Sequence, residues 1–98
     1  MKEFLVEMRT AVPESVDPAV RSRLGDDKSA AIARLTEEGK VTRLRRTSDD
    51  NKPYTIGFWT ANDQVEFRQL IEQLPMYPWM RITMRPLTSH RFDPSRMS

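Results

Sequence analysis

The chain has no cysteine. That excludes a disulfide framework, a thiol nucleophile and a cysteine zinc site. It has one histidine, His90, so a histidine-based metal cluster within one chain is excluded as well. Its three glycines are scattered, and none of the glycine loops that cradle phosphate is present. No serine or threonine has the sequence surroundings of an activated nucleophile. No apolar run approaches the roughly 20 residues that a membrane span requires. The start of the chain alternates and lacks a basic region followed by a long apolar stretch, so no signal peptide is expected and the cytoplasm is the default location. Formal net charge is +2, short of the concentrated basic field of a dedicated nucleic-acid binder.

What remains is a chain of 98 residues, 38% hydrophobic and 31% charged, which is the composition of one globular domain. A chain this short buries a limited fraction of its surface and often leans on partner subunits. Phe4, Val6 and Met8 alternate with Leu5, Glu7 and Arg9, the period of a half-buried strand. Asp17-Pro18 reads as an N-cap followed by proline at the first helical position. Val20, Leu24, Ala31 and Leu35 then recur at helical spacing up to Gly39, giving a first helix near 18–38. Val41 to Thr47 is a second, arginine-rich strand, and residues 48–53 are a turn cluster. In the third strand Tyr54, Ile56 and Phe58 share one face, with Thr55, Gly57 and Trp59 on the other. Thr60 or Asn62 can open a second helix, whose apolar face is Phe67, Leu70, Ile71 and Leu74 and which Pro75 and Pro78 end. Arg81 to Met84 form a fourth strand, which Pro86 stops.

The order βαββαβ defines an α+β, ferredoxin-like architecture: a four-stranded antiparallel sheet with two helices on one face. The domain is expected over residues 1–87, and 88–98 as an irregular C-terminal tail able to contact a neighbouring subunit. The other sheet face, to which Trp59 and several arginines are expected to point, must be covered or used.

Several residues can carry chemistry. The helical stripe from Val20 to Leu35 is about 60° wide at 100° per residue, and Asp27 and Lys28 fall on its two shoulders. They read either as a solvated charge pair with Lys28 snorkelling, or as a carboxylate at the rim of an apolar pocket beside a cation. The second arrangement suits proton transfer, because burial makes a carboxylate a better base and an ammonium stabilises a developing enolate. Arg43 and Arg45 share a strand face, with Arg46 opposite. Guanidinium groups grip substrate carboxylates bidentately, yet charged strand faces are usually solvated or ion-paired. Tyr54 can present its hydroxyl to a ligand or sit in the core with a wet edge. His90 can act as an acid or base, or remain a solvated tail residue.

The segment Leu74-Pro75-Met76-Tyr77-Pro78-Trp79-Met80 resembles the Leu-Pro-Leu-Phe-Pro-(Tyr/Trp)-Met stretch of muconolactone isomerases. Phe4 to Met8, Val16-Asp17-Pro18, Asp26-Asp27-Lys28, Glu38-Gly39 and Tyr54 extend the resemblance to residues 3–90. It implies a ferredoxin-like subunit that dimerises to an α/β-barrel-like unit and builds homo-oligomers from dimers, up to a decamer. It also implies an enzyme without metal or organic cofactor that converts muconolactone, a small anionic lactone, to the 3-oxoadipate enol-lactone in aromatic-compound catabolism. On this resemblance Asp27 is the base or proton shuttle and Lys28 the electrostatic stabiliser. Arg43 or Arg45 anchors the substrate carboxylate, Tyr54 donates a hydrogen bond, and His90 belongs to the binding set. The sequence departs from the pattern at Asp27, where the family has glutamate, and in the second strand, where relatives are rich in tryptophan and histidine.

Two other readings compete. One is a non-catalytic, ligand-binding oligomer on the same scaffold. The other is an RNA-binding βαββαβ module, against which Tyr54 and Phe58, sharing a face with Ile56, are expected to be core rather than a base-stacking platform.

Overall fold

The computed structural model describes residues 1–94. Strand β1 (Lys2–Thr10) leads to helix α1 (Pro18–Glu37), and strands β2 (Val41–Asp49) and β3 (Lys52–Ala61) form a hairpin. Helix α2 (Gln64–Glu72), a short 3-10 turn (Tyr77–Trp79) and strand β4 (Met80–Leu87) follow. The sheet order is β2-β3-β1-β4, and all three pairings are antiparallel. The expected βαββαβ order and the placing of both helices on one face are therefore observed.

Local chemistry sets the element ends. Asp17 Oδ1 accepts the Ala19 N–H at 2.8 Å, and Pro18 occupies the first helical turn, where no N–H is needed. Gly39, at φ +77°, ends α1: its N–H bonds Thr36 O, and the Lys40 N–H bonds Leu35 O. Asp50 and Asn51, both at positive φ, make the two-residue hairpin turn between β2 and β3. Helix α2 begins later than the Thr60 and Asn62 signals suggest. Strand β3 continues through Ala61, and the capping side chain is Asp63, whose Oδ1 accepts the Glu66 N–H at 2.8 Å. Pro86 does not stop β4, which runs to Leu87 opposite Glu3. As an edge strand it tolerates a residue without an N–H. Strand β4 ends at Leu87, and residues 95–98 of the expected tail lie outside the described residues.

The core lies between the sheet and the helices. Phe4, Val6 and Met8 of β1 meet Trp59 and Ala61 of β3, Ala31 and Leu35 of α1, and Phe67 and Ile71 of α2. The Phe67 ring stands edge-on to Trp59 at 5.9 Å and tilted to Phe4 at 5.2 Å. Trp59 is 0% exposed, so it does not point to the open face as the sequence reading expects. Its pairing with Phe4 and Val41, both buried, fixes it on the helix side.

The open face carries the alternate residues. Tyr54, Ile56 and Phe58 run down its middle beside Leu5, and Phe58 is 38% exposed. This corrects the expectation that Tyr54 and Phe58 are core. Arg43 and Arg45 flank them on β2, and Arg81 and Arg85 share that face on β4.

Candidate active site

Helix α1 is turned relative to its most apolar stripe. The side chains it directs inward are Leu24, Lys28, Ala31, Ile32 and Leu35, whereas Val20 is 44% exposed. At 100° per residue this inward stripe is centred about 40° from the one that the apolar residues alone define. Lys28 therefore sits in the middle of the buried stripe, half-buried, and Asp27 lies exposed on the outer side. Only the C-terminal half of α1, through Ala31 and Leu35, is fully packed. In the N-terminal half Leu24 is half-buried and Val20 exposed, and Lys28 marks the border between the two.

Removing the ammonium from water pushes the Lys28 pKa below the usual lysine value, and the nearby positive charge of Arg46 lowers it further. Two cations thus act on each other on the helix-covered side of the sheet, Lys28 half-buried and Arg46 exposed, and no carboxylate is hydrogen-bonded or ion-paired to Lys28 among the described residues. Such a pairing of like charges favours an anion beside it, or a group on which negative charge develops.

A bulge puts Arg46 on the helix side of the sheet, where its charge acts on Lys28. Val41 is buried against Trp59, so unbroken alternation would turn Arg43 and Arg45 toward the helices. The register shifts between Val41 and Arg43: Arg43 pairs with Phe58, Leu44 with Gly57, Arg45 with Ile56 and Arg46 with Thr55. The extra residue inverts the strand, placing Leu44 and Arg46 on the helix side. Gly57 has no room for a side chain, since a Cβ there would lie 2.8 Å from Leu44 Cδ2 and 3.0 Å from the Arg43 carbonyl oxygen.

The structure separates the remaining candidates from Lys28. Arg43, Arg45 and Tyr54 are on the open face, across the sheet. The Tyr54 ring is covered by the Arg9 guanidinium, 3.7 Å from its centroid, and Arg9 also contacts Glu7 at 3.4 Å and Asp49 at 3.8 Å. Tyr54 is thus engaged in a surface network of its own strand rows. His90 is exposed beyond β4, where its Nδ1 accepts the Phe92 N–H at 3.0 Å. Sequence reasoning missed Arg46 as a site residue. The signal was its position opposite Arg43 and Arg45, but only the bulge shows which side the helices cover.

The chain has the α+β fold of small ferredoxin-like subunits, with a half-buried lysine on the inner side of the first helix. The sequence model described as muconolactone delta-isomerase matches residues 2–93, and the chain belongs to that family. A muconolactone delta-isomerase of Rhodococcus opacus is 29% identical over 93 residues, covering 95% of this chain and 98% of the relative. One of Pseudomonas putida is 28% identical over 87 residues, covering 89% and 88%. A crystal structure of muconolactone isomerase superposes with a TM-score of 0.80 at 26% identity, covering 94% of each chain. A 5-chloro-2-hydroxyhydroquinone dehydrochlorinase of Burkholderia phenoliruptrix shares the fold, with a TM-score of 0.56 at 16% identity and coverage of 90% and 96%. Among the described residues no helix is long and apolar enough to cross a membrane.

Proposed function

We propose that this chain is a cytoplasmic, cofactor-independent isomerase that moves a proton within a small unsaturated lactone, muconolactone or a close analogue, during breakdown of aromatic compounds. The observation that carries this reading is Lys28, a half-buried cation in the middle of the helical stripe beside Arg46, in a chain that belongs to an isomerase family along nearly its whole length.

The chemistry follows from the groups present. A base removes the proton from the ring carbon that bears the carboxymethyl group, and the electron pair spreads as a dienolate onto the lactone oxygen. A proton then returns at the carbon next to the carbonyl. Side chains alone can serve both transfers. Lys28, poorly solvated and positive, stabilises the dienolate where a fixed charge is worth most. Arg46 takes the anchoring role for the substrate carboxylate, because it lies on the same side of the sheet as Lys28 and its charge acts on that ammonium, while Arg43 and Arg45 are on the other side. Asp27 is the nearest carboxylate in sequence, one residue from Lys28 on the exposed shoulder, and serves as the proton shuttle there. Tyr54 and His90 then act in one site with Lys28 only if a neighbouring subunit brings them there.

The open face supports a dimer. Leu5, Ile56 and Phe58 form an apolar strip that no helix or strand among the described residues covers, and stacking two such sheets gives the α/β-barrel-like unit from which larger homo-oligomers are built. The same strip, flanked by arginines, is also the surface an RNA-binding module would use. Light scattering at low salt, with and without single-stranded RNA, separates the two: a dimer without RNA supports the enzyme reading, and a monomer that binds RNA supports the other.

The decisive experiment incubates the protein with muconolactone in deuterated buffer and follows the ring protons by NMR. Appearance of the enol-lactone with deuterium beside the carbonyl is the expected result. Exchange without isomerisation would retain the base and replace the substrate. Inertness where a Pseudomonas putida muconolactone isomerase acts would overturn the enzymatic reading.

A further inference from the structure

A recess lies away from Lys28, between α2, the 3-10 turn and β4. It encloses about 130 Å³. Its wall is apolar: Phe67 and Ile71 from α2, and Ile82 and Met84 from the helix-facing side of β4. Its rim carries Arg68 and Tyr77. Each part has a local cause. Helix α2 is only nine residues long, so it leaves Ile82 and Met84 of the edge strand half-covered. Arg68 follows Phe67 and so sits on the shoulder of the buried stripe. The turn after α2 folds back through bonds from the Tyr77 N–H to Leu74 O and from the Trp79 N–H to Met76 O, which holds Tyr77 against the opening.

Nothing within the described residues engages the polar rim. Among the described residues the Arg68 guanidinium and the Tyr77 hydroxyl take part in no hydrogen bond or ion pair, although the sequence supplies 14 acidic residues that could have paired with an arginine. A free guanidinium and a free hydroxyl beside an apolar slot are complementary to a molecule with one carboxylate and one flat apolar body. The size of the recess, well under the roughly 300 Å³ at which ordinary ligand pockets begin, limits that body to a single ring.

We propose that this recess binds a small single-ring monocarboxylate, with the carboxylate held by Arg68 and Tyr77 and the ring between Phe67 and Met84. The guanidinium offers two parallel N–H donors to the carboxylate. The Met84 thioether and the edge of Phe67 suit an unsaturated ring. The assignment rests on the recess itself and is independent of the lactone reading for Lys28.

The test is a titration with benzoate, read from backbone amide and methyl resonances. Benzoate is expected to shift the Ile71, Ile82 and Met84 methyl signals, and benzamide, its neutral analogue, to shift them at least tenfold more weakly. Arg68→Gln is expected to weaken the benzoate-induced shifts of Ile71, Ile82 and Met84 at least tenfold and Tyr77→Phe severalfold. Arg68 is exposed, so its replacement does not touch the core; Tyr77→Phe provides an independent variant. Equal binding of benzamide at these methyl groups, unchanged affinity in Arg68→Gln, or no shift of these signals would each overturn the proposal. Because benzoate binding is read without turnover, its failure is distinguishable from failure of the isomerase reading.

Discussion

The two faces of the sheet are built from the same strands and differ in what they ask of their residues. The helix-covered face demands shape: Phe4, Val6 and Trp59 are fully buried, and Gly57 leaves no room for a methyl group beside Leu44. The open face carries aromatic and aliphatic side chains as large, yet Phe58 remains 38% exposed and arginines line both edge strands. Charge is treated differently too. On the open face Arg9 has two carboxylates and an aromatic ring for company. Under α1, Lys28 has another cation. A side chain held where its own charge is disfavoured is an arrangement that stability alone does not select, and the proposed chemistry is placed on the covered face for that reason.

The sharpest way to break this contrast is a pair of truncations. Trp59→Ala should cost about 3–5 kcal/mol, because the cavity forms among Phe4, Val41 and Phe67. Phe58→Ala should cost the isolated subunit about 1 kcal/mol, since less apolar area leaves water there. Urea unfolding at a concentration where the subunit is monomeric reads both; equal losses would mean the open face is packed as tightly as the core.

A second pair compares the cations. Lys28→Met should lower turnover of the lactone by about 10²- to 10³-fold, the usual loss when one fixed donor to a developing oxyanion is removed. Arg43→Gln and Arg45→Gln should change it little within one subunit. A large loss from either arginine, with Lys28→Met near normal, would place the chemistry on the open face.

The pH response gives a finer comparison. Burial first, and Arg46 second, hold the Lys28 pKa below its usual 10.5. Activity that needs its positive charge should fall with rising pH earlier than an ordinary lysine would allow. Between the folded value and 10.5 the unfolded chain binds more protons than the folded one, so stability should rise with pH across that window. Below the folded value the desolvated charge is a constant penalty. Arg46→Gln should move the fall in activity upward only part of the way, because burial remains. A pH–rate profile unchanged by Arg46→Gln would show that its charge does not act on Lys28.

The smallest expected effect concerns the link between the turn after α1 and helix α2. Lys40 Nζ donates to Glu66 Oε1 at 3.0 Å, and that bond above all holds the Glu66 carboxyl below its usual value. The stabilisation is present above the unfolded pKa of the carboxylate and is lost as pH falls through the folded one. Lys40→Met should therefore shrink the difference in urea midpoint between neutral and acid pH slightly, and an unchanged difference would show the bridge to be inert.

Much of this was legible in the residues. Alternation at Phe4–Val6–Met8, the Asp17-Pro18 start, the Gly39 stop and the turn at Asp50-Asn51 are local signals, and short-range sterics and hydrogen bonding decide them. The proline-aromatic segment after α2 carried the family resemblance. The roles of individual charges were less legible, because they depend on which side of an element faces the core.

The sequence by itself determined the element order, the antiparallel ferredoxin-like sheet and the family, since each follows from patterns a few residues long. Tertiary structure alone decided three matters. Packing of Ala31 and Leu35 turned α1 so that Lys28, not Asp27, lies inward. The register shift after Val41 sent Arg46, rather than Arg43 and Arg45, to the covered face. Pairing with buried Phe4 and Val41 put Trp59 in the core and left Tyr54 and Phe58 outside. In each case a rotation or a single inserted residue reverses which side chains meet, and only contacts between distant segments fix it.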